Sequence, residues 1–223
     1  GLEVSLPSFR ASLSFSEHVR WHGTLLRPGT MGPYSFVPFM ECRHGIIVMD
    51  ALASGEVNGA RVDGRFYLEK DYGRSFPNAW VWLQSNSFGE RGVSVTCSIA
   101  NVPFVGGAFT GFLAGVAVGG RVEQFTTYQG CRIESLEVHE REVVLELRDS
   151  RRRLSIAAAR EPGAELRAPR EGAMSGRIVE SLRSSVAIEL SVNDRPVYGG
   201  TGRHAGLEVV NPGVLLVPAR RRQ

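Results

Sequence analysis

Apolar side chains recur at every second position along much of this chain. Phe9, Ala11, Leu13 and Phe15 alternate with polar residues, and Val93, Val95, Cys97 and Ile99 do the same. A period of two puts successive side chains on opposite faces of an extended strand, one face buried and one solvated. The pattern recurs at 143–147 and 154–158, on either side of Asp149-Ser150-Arg151-Arg152-Arg153, which reads as a hairpin turn. Further strands are expected at 45–49, 64–68, 79–88, 109–118, 122–127, 132–138, 186–192 and 204–210. The chain is punctuated by 26 glycines and 11 prolines. Strands at such regular spacing predict an all-β antiparallel barrel or sandwich. Residues 175–184 are the best short helical candidate.

The 223 residues suit one large β domain, or one barrel plus part of another. Residues 27–38, RPGTMGPYSFVP, are rich in proline and glycine and form the best junction between two lobes. The expected division is 1–32 as leading strands or the end of a first lobe, and 33–223 as the main barrel. A hydrophobic fraction of 43% predicts a packed core. The longest apolar stretch, 108–118, is interrupted by Gly111 and Gly115 and falls short of the roughly 18 residues a membrane helix needs. The first residues lack the charged start and apolar run of a signal peptide. Cys42, Cys97 and Cys131 are widely spaced and form no CxxC pair. Together these features point to a reducing, cytoplasmic setting with buried, inert thiols.

Net charge is +3, and Lys70 is the only lysine. The arginines are scattered apart from 151–153 and 220–222, which read as a turn and a solvated tail. Nucleic-acid binding would want a basic face interleaved with aromatics, so no such partner is expected.

Three segments could carry chemistry. In a strand at 79–88, Trp80, Trp82, Gln84, Asn86 and Phe88 share one face. Two tryptophans followed by two amides suit a cavity wall, although aromatics on a barrel strand also serve as plain core. Tyr67, Glu69 and Asp71 likewise share a face, at steps of roughly 7 Å. If that face is inward, neighbouring carboxyls in an apolar setting shift apart, and one is held protonated as an acid. If it is outward, they are solvated surface charges. In FVPFMECRHG (36–45), Glu41, Arg43 and His44 stand against an apolar run, as a structural ion pair or as groups that orient a ligand. The five histidines show no HxH or HExxH spacing, so no metal is expected. GxSxG, P-loop and GxGxxG motifs do not occur in a fitting context, and no cofactor is expected.

Several segments, in order, resemble the tocopherol cyclase-like family: PGTMGPYSFVPFMECRHG (28–45), GRFYLEKDYGRSFPNAWVWLQSNSF (64–88), VTCSIANVPF (95–104), GFLAGV (111–116), TTYQG (126–130), LRAPREGAMSGRIVESL (166–182) and AGLEV (205–209). The long EKDYG-x-SFP-x-x-W-x-W-x-Q-x-N-x-F stretch is the most specific of them. Tyr72 stands where the family commonly has tryptophan. Members also usually carry a further N-terminal stretch that supplies most of a first barrel, and this chain begins near its end.

The resemblance implies a lipocalin-like antiparallel β-barrel, similar to carotenoid 1,2-hydratases and fungal lipocalin-like Diels–Alderases. It also implies a hydrophobic partner (a prenyl quinol, isoprenoid or polyene) and an isomerase- or hydratase-type reaction that starts by protonating an alkene. The hydratases' Tyr-x-Asp element resembles Tyr67-Leu68-Glu69. Glu69 is therefore the expected general acid with Tyr67 beside it, and Asp71, Glu41 and His44 are secondary candidates. Trp80 and Trp82 would face the carbocation, and Gln84 and Asn86 the quinol hydroxyls. Lys70 points the other way and is expected to form an ion pair. A non-catalytic lipid carrier is the alternative. Peripheral membrane contact, and oligomerisation to replace a missing lobe, are further expectations.

Overall fold

A computed structural model describes residues 1–37, 40–104 and 107–217. The tail arginines at 220–222 lie outside the described residues, as do Pro38 and Phe39 of the 36–45 segment.

The chain is almost entirely antiparallel strand, arranged in two sheets. The first is a four-stranded half-barrel in the order β1 (Leu2–Leu6), β2 (Phe9–Val19), β3 (Cys42–Val57), β4 (Ala60–Gly73). The second has ten strands. Its path begins with β8 (Arg121–Thr126), β7 (Gly107–Val118), β6 (Ser94–Phe104) and β5 (Trp80–Ser85). It continues through β14 (Arg195–Val210), β13 (Ala173–Val192), β11 (Arg152–Ala159), β10 (Glu142–Arg148) and β9 (Arg132–Val138), with β12 (Ala164–Arg170) paired to β13. Three short 3-10 turns interrupt the strands, at Gly32–Phe36, Thr127–Gln129 and Pro212–Val214.

The period-two pattern gives the large sheet one continuous apolar face. Val81 and Leu83 of β5, Val95 and Ile99 of β6, Phe125 of β8, Leu145 of β10, Leu154 of β11 and Ile188 of β13 are each no more than 1% exposed and belong to one continuous core. Residues from both ends of the strand order meet in that core, so the sheet closes around side chains rather than around a ligand. The face it turns outward along β5–β6–β7 is covered by the half-barrel. Trp21 fits against that face because Gly115 has no side chain: a Cβ there would lie 2.6 Å from the indole. Ile46, Met49 and Ala117 complete this seam. Asp50 of β3 closes it further on: Arg65 Nε donates to Asp50 Oδ1 at 2.7 Å, and Asn86 Nδ2 reaches the same oxygen at 3.2 Å.

Residues 175–184 are not a helix but part of the long strand β13. Its register slips between Ser181 and Ser184 and again between Ser184 and Val186. These bulges shift the buried positions, so Ile178, Ser181 and Ser184 fall three apart and imitate a helical spacing. The 27–37 stretch lies between β2 and β3, which are neighbouring strands of one sheet. At the 149–153 hairpin, Arg151 and Arg153 are exposed as expected. Arg152 turns inward, donating to Glu123 at 2.9 Å and Asp149 at 2.6 Å over the Phe125 ring.

Candidate functional site

Cross-strand register builds the site where the two sheets meet. On β5, Trp80 and Trp82 point away from the barrel core, while Val81 and Leu83 point into it. Trp82 is paired with Ser98 of β6 on one side and with Glu208 of β14 on the other, so the three share one face. Gly206, two residues before Glu208, makes room for the Trp82 ring: a Cβ there would meet it at 2.8 Å. From the half-barrel, Asp71 of β4 is paired with His44 of β3, and Glu69 with Ile46. Together the sheets form a partly open cavity of about 100 Å³, lined in part by His44, Asp71, Trp80, Trp82, Leu113 and Glu208. A groove of about 580 Å³ adjoins it, sharing Met40, Cys42, Phe76, Pro77, Trp80 and Val102.

Behind His44 and Asp71 sits Glu69, whose side chain is 10% exposed. The Tyr67 hydroxyl donates to Glu69 Oε2, and Trp82 Nε1 donates to the same oxygen at 3.1 Å. The Tyr67 oxygen also lies 3.1 Å from the Thr96 hydroxyl of β6, which ties the half-barrel to the large sheet. His44 Nδ1 is 2.8 Å from Asp71 Oδ1 and 3.4 Å from Glu69 Oε1. The His44 Nε2 atom is buried without a partner.

These contacts separate the two carboxyls. Burial pushes Glu69 up to about 7; the positive His44 opposes the rise and the charge on Asp71 adds to it. Burial also acts to raise Asp71, but its hydrogen bond with His44 and the imidazolium charge outweigh it, and Asp71 is held below the ordinary carboxylate value. For His44, burial works against the charged ring, yet the Asp71 hydrogen bond and the two carboxylate charges leave its pKa raised. The chemical result is a carboxyl pair that holds its proton on the Glu69 side up to about pH 7, next to an imidazole whose own proton affinity is raised. His44, Glu69 and Asp71 are also the described residues whose donor atoms could converge on one metal ion, all within 4.8 Å of one another. Their hydrogen bonds to each other, to Tyr67 and to Trp82 already engage those atoms.

Glu208 was not singled out from the sequence. It opens into the same cavity from the barrel side and accepts a 2.7 Å hydrogen bond from Trp80 Nε1. Burial pushes it to about 7, against the Trp80 bond and with help from Glu180 and Asp71. The folded chain thus keeps a proton on Glu208 up to about pH 7, whereas an unfolded chain releases it near the ordinary 4.5. The stability this provides is full below that value and is lost as pH rises through about 7. Glu208→Gln is therefore expected to match wild type in acid and to be more stable at pH ~8, on the order of 2 kcal/mol. Thermal melts across pH 5 to 8, ~1 unit apart, check this; a constant gap between the two proteins would contradict it.

The remaining sequence candidates lie elsewhere. Gln84 is on the Trp82 face but further along the strand, with its Oε1 buried and unpaired. Asn86 is engaged with Asp50. Phe88, expected on the same face, turns into the barrel core because β5 ends at Ser85. Glu41 is exposed at the groove, and its carbonyl accepts from Arg74 N at 2.8 Å. Arg43 donates to the Ser35 carbonyl at 2.9 Å rather than pairing with Glu41. Lys70 is on the opposite face of β4, as expected, but it sits 5.4 Å over the Tyr72 ring instead of in an ion pair.

The fold and this site define a class: a two-sheet β protein with a partly buried acid cluster over an indole-lined cavity between its sheets. The tocopherol cyclase-like family pattern matches residues 16–211, and the chain belongs to that family. Among solved structures it is similar to kievitone hydratase from Nectria haematococca, at 12% identity and a TM-score of 0.43, over 78% of this chain and 54% of that one. It is also similar to a protein assigned as AttH from Nitrosomonas europaea, at 14% identity and a TM-score of 0.39, over 92% of this chain and 62% of that one. The chain thus spans little more than half the length of these structures. No curated protein matches it. Among the described residues no helix is long and apolar enough to cross a membrane.

Proposed function

We propose that this chain is an acid catalyst of the tocopherol cyclase-like type. It would protonate an alkene of a prenylated quinol or polyene, after which the cation is captured by a ring hydroxyl or by water. The observation that carries this reading is Glu69, set behind the Asp71 and His44 side chains that line the cavity with Trp80 and Trp82, and hydrogen-bonded to Trp82 Nε1 at 3.1 Å. An alkene is a weak base, so its proton donor must be kept from water and kept protonated at neutral pH. Glu69 holds the proton, and Asp71 and His44 bring the cluster to the cavity wall. The tertiary cation that forms is stabilised by the indole faces, by about 2 kcal/mol or more per desolvated contact. The small cavity suits the reacting double bond, and the adjoining groove suits the rest of a long apolar molecule.

The test is incubation in deuterium oxide with a methylated hydroquinone carrying a prenyl chain, and separately with a linear polyene. A ring-closed isomer or a hydrate with one deuterium on the newly protonated carbon supports the reading. A substrate that is bound and recovered unchanged would make the protein a carrier.

A further inference from the structure

We propose that Glu208 is a second catalytic carboxylate of this site, the base that takes the proton from the oxygen that captures the carbocation. The inference rests on the acid-catalysed reading above and adds the other half of the reaction.

The cavity has carboxyls on two sides, and they come from different sheets. His44 and Asp71 enter from β3 and β4 of the half-barrel, with Glu69 behind them, whereas Glu208 enters from β14 of the large sheet. The two tryptophans of β5 stand between them. Trp82 Nε1 binds Glu69 and Trp80 Nε1 binds Glu208, so each indole N–H fixes one carboxyl. A cation generated beside the first carboxyl pair would lie along the indole faces with Glu208 across from it. Glu208 is close enough to the first cluster for the Asp71 charge to act on it. Its cross-strand neighbour on β13 is Glu180, a like charge that disfavours ionisation and raises its affinity for a proton. The surroundings are otherwise apolar, with Ile178 and Ala168 packed on Trp80.

Capture of the cation requires a base. As the hydroxyl oxygen of a quinol, or of water, forms its bond to the tertiary carbon, its O–H bond breaks and the electron pair stays on oxygen. The proton passes to Glu208 in its ionised form, which coexists with the acid form of Glu69 near pH 7. The Glu69–Asp71 pair has lost one proton to carbon and Glu208 has gained one, and exchange with solvent resets both. Cyclisation then leaves the substrate's composition unchanged, and hydration adds one water.

The experiment uses Glu208→Gln and Glu208→Asp with the prenylated hydroquinone in deuterium oxide. Glutamine keeps the size of the side chain and an oxygen for Trp80 Nε1, so a purely structural role would survive it. We expect ring closure to fall at least ~100-fold. Alkene protonation should persist and be diverted to deuterated, uncyclised double-bond isomers. Glu208→Asp, which retains a carboxylate, should recover part of the ring-closed product. Wild-type amounts of ring-closed product from Glu208→Gln would overturn the proposal. So would loss of deuterium incorporation together with ring closure in both variants, since Glu208 would then be needed for the acid step. A wild-type protein that turns over neither substrate would instead defeat the acid-catalysed reading itself, and this proposal with it.

Discussion

Glu69→Gln is expected to lower turnover of a prenylated hydroquinone by about 10²- to 10⁴-fold while its binding, followed by quenching of tryptophan fluorescence, is retained. Glutamine has the shape of glutamic acid, and its carbonyl can accept the Tyr67 and Trp82 hydrogen bonds that Glu69 Oε2 accepts now. What it lacks is the proton on the other oxygen, next to His44 and Asp71. The same residue sets the pH dependence of the wild type. The acid form of Glu69 is lost as pH rises through about 7, so turnover should fall across that range. An undiminished rate in Glu69→Gln would remove Glu69 from the acid role and make His44, whose pKa the neighbouring carboxylates raise against the effect of burial, the next group to test.

The two halves of this site were unequally legible in the sequence. Tyr67, Glu69 and Asp71, and likewise Trp80 and Trp82, are spaced two apart, and a strand needs only that spacing to place each set on one face. Which face is covered depends on the second sheet, because it is the half-barrel that packs on the outside of β5–β6–β7. The interior that a barrel usually offers a ligand is filled here by Leu83, Ile99, Phe125 and Leu145. Gln84 and Asn86 carry the right periodicity, but a strand advances ~3.3 Å per residue, which takes them past the end of the cavity. His44 reached its carboxylates through a register that contains two bulges, between Ile46 and Val48 and between Val48 and Ala51, which no local pattern encodes. Glu208 is harder still. In AGLEV it reads as the ordinary solvated position of an alternating strand. Its role appears only when β14 pairs with β5 and places it beside two indoles.

A comparable blind spot covers Asp50, which the sequence hides as one acid in the run GIIVMDALA and which joins the two sheets. Asp50→Ala is expected to destabilise the fold by about 3 kcal/mol, because it leaves a largely buried Arg65 guanidinium without its counter-charge. The Asp50 and Arg65 side chains are 5% and 20% exposed, so water can restore only part of what the carboxylate supplied. The loss should extend beyond the pair itself. Asp50 also holds Asn86, at the end of β5, to β3, and β3 carries His44. Slackening that tie shifts the acid cluster relative to Trp80 and Trp82, so activity should fall before the protein unfolds. Urea denaturation of Asp50→Ala, Arg65→Ala and the double variant checks the argument, since removing both charges should recover a substantial part of the single-site loss. Additive losses would mean that the two residues stabilise the sheets independently. The seam would then be held by Trp21 in the notch at Gly115 and by the Tyr67–Thr96 hydroxyl contact rather than by charge.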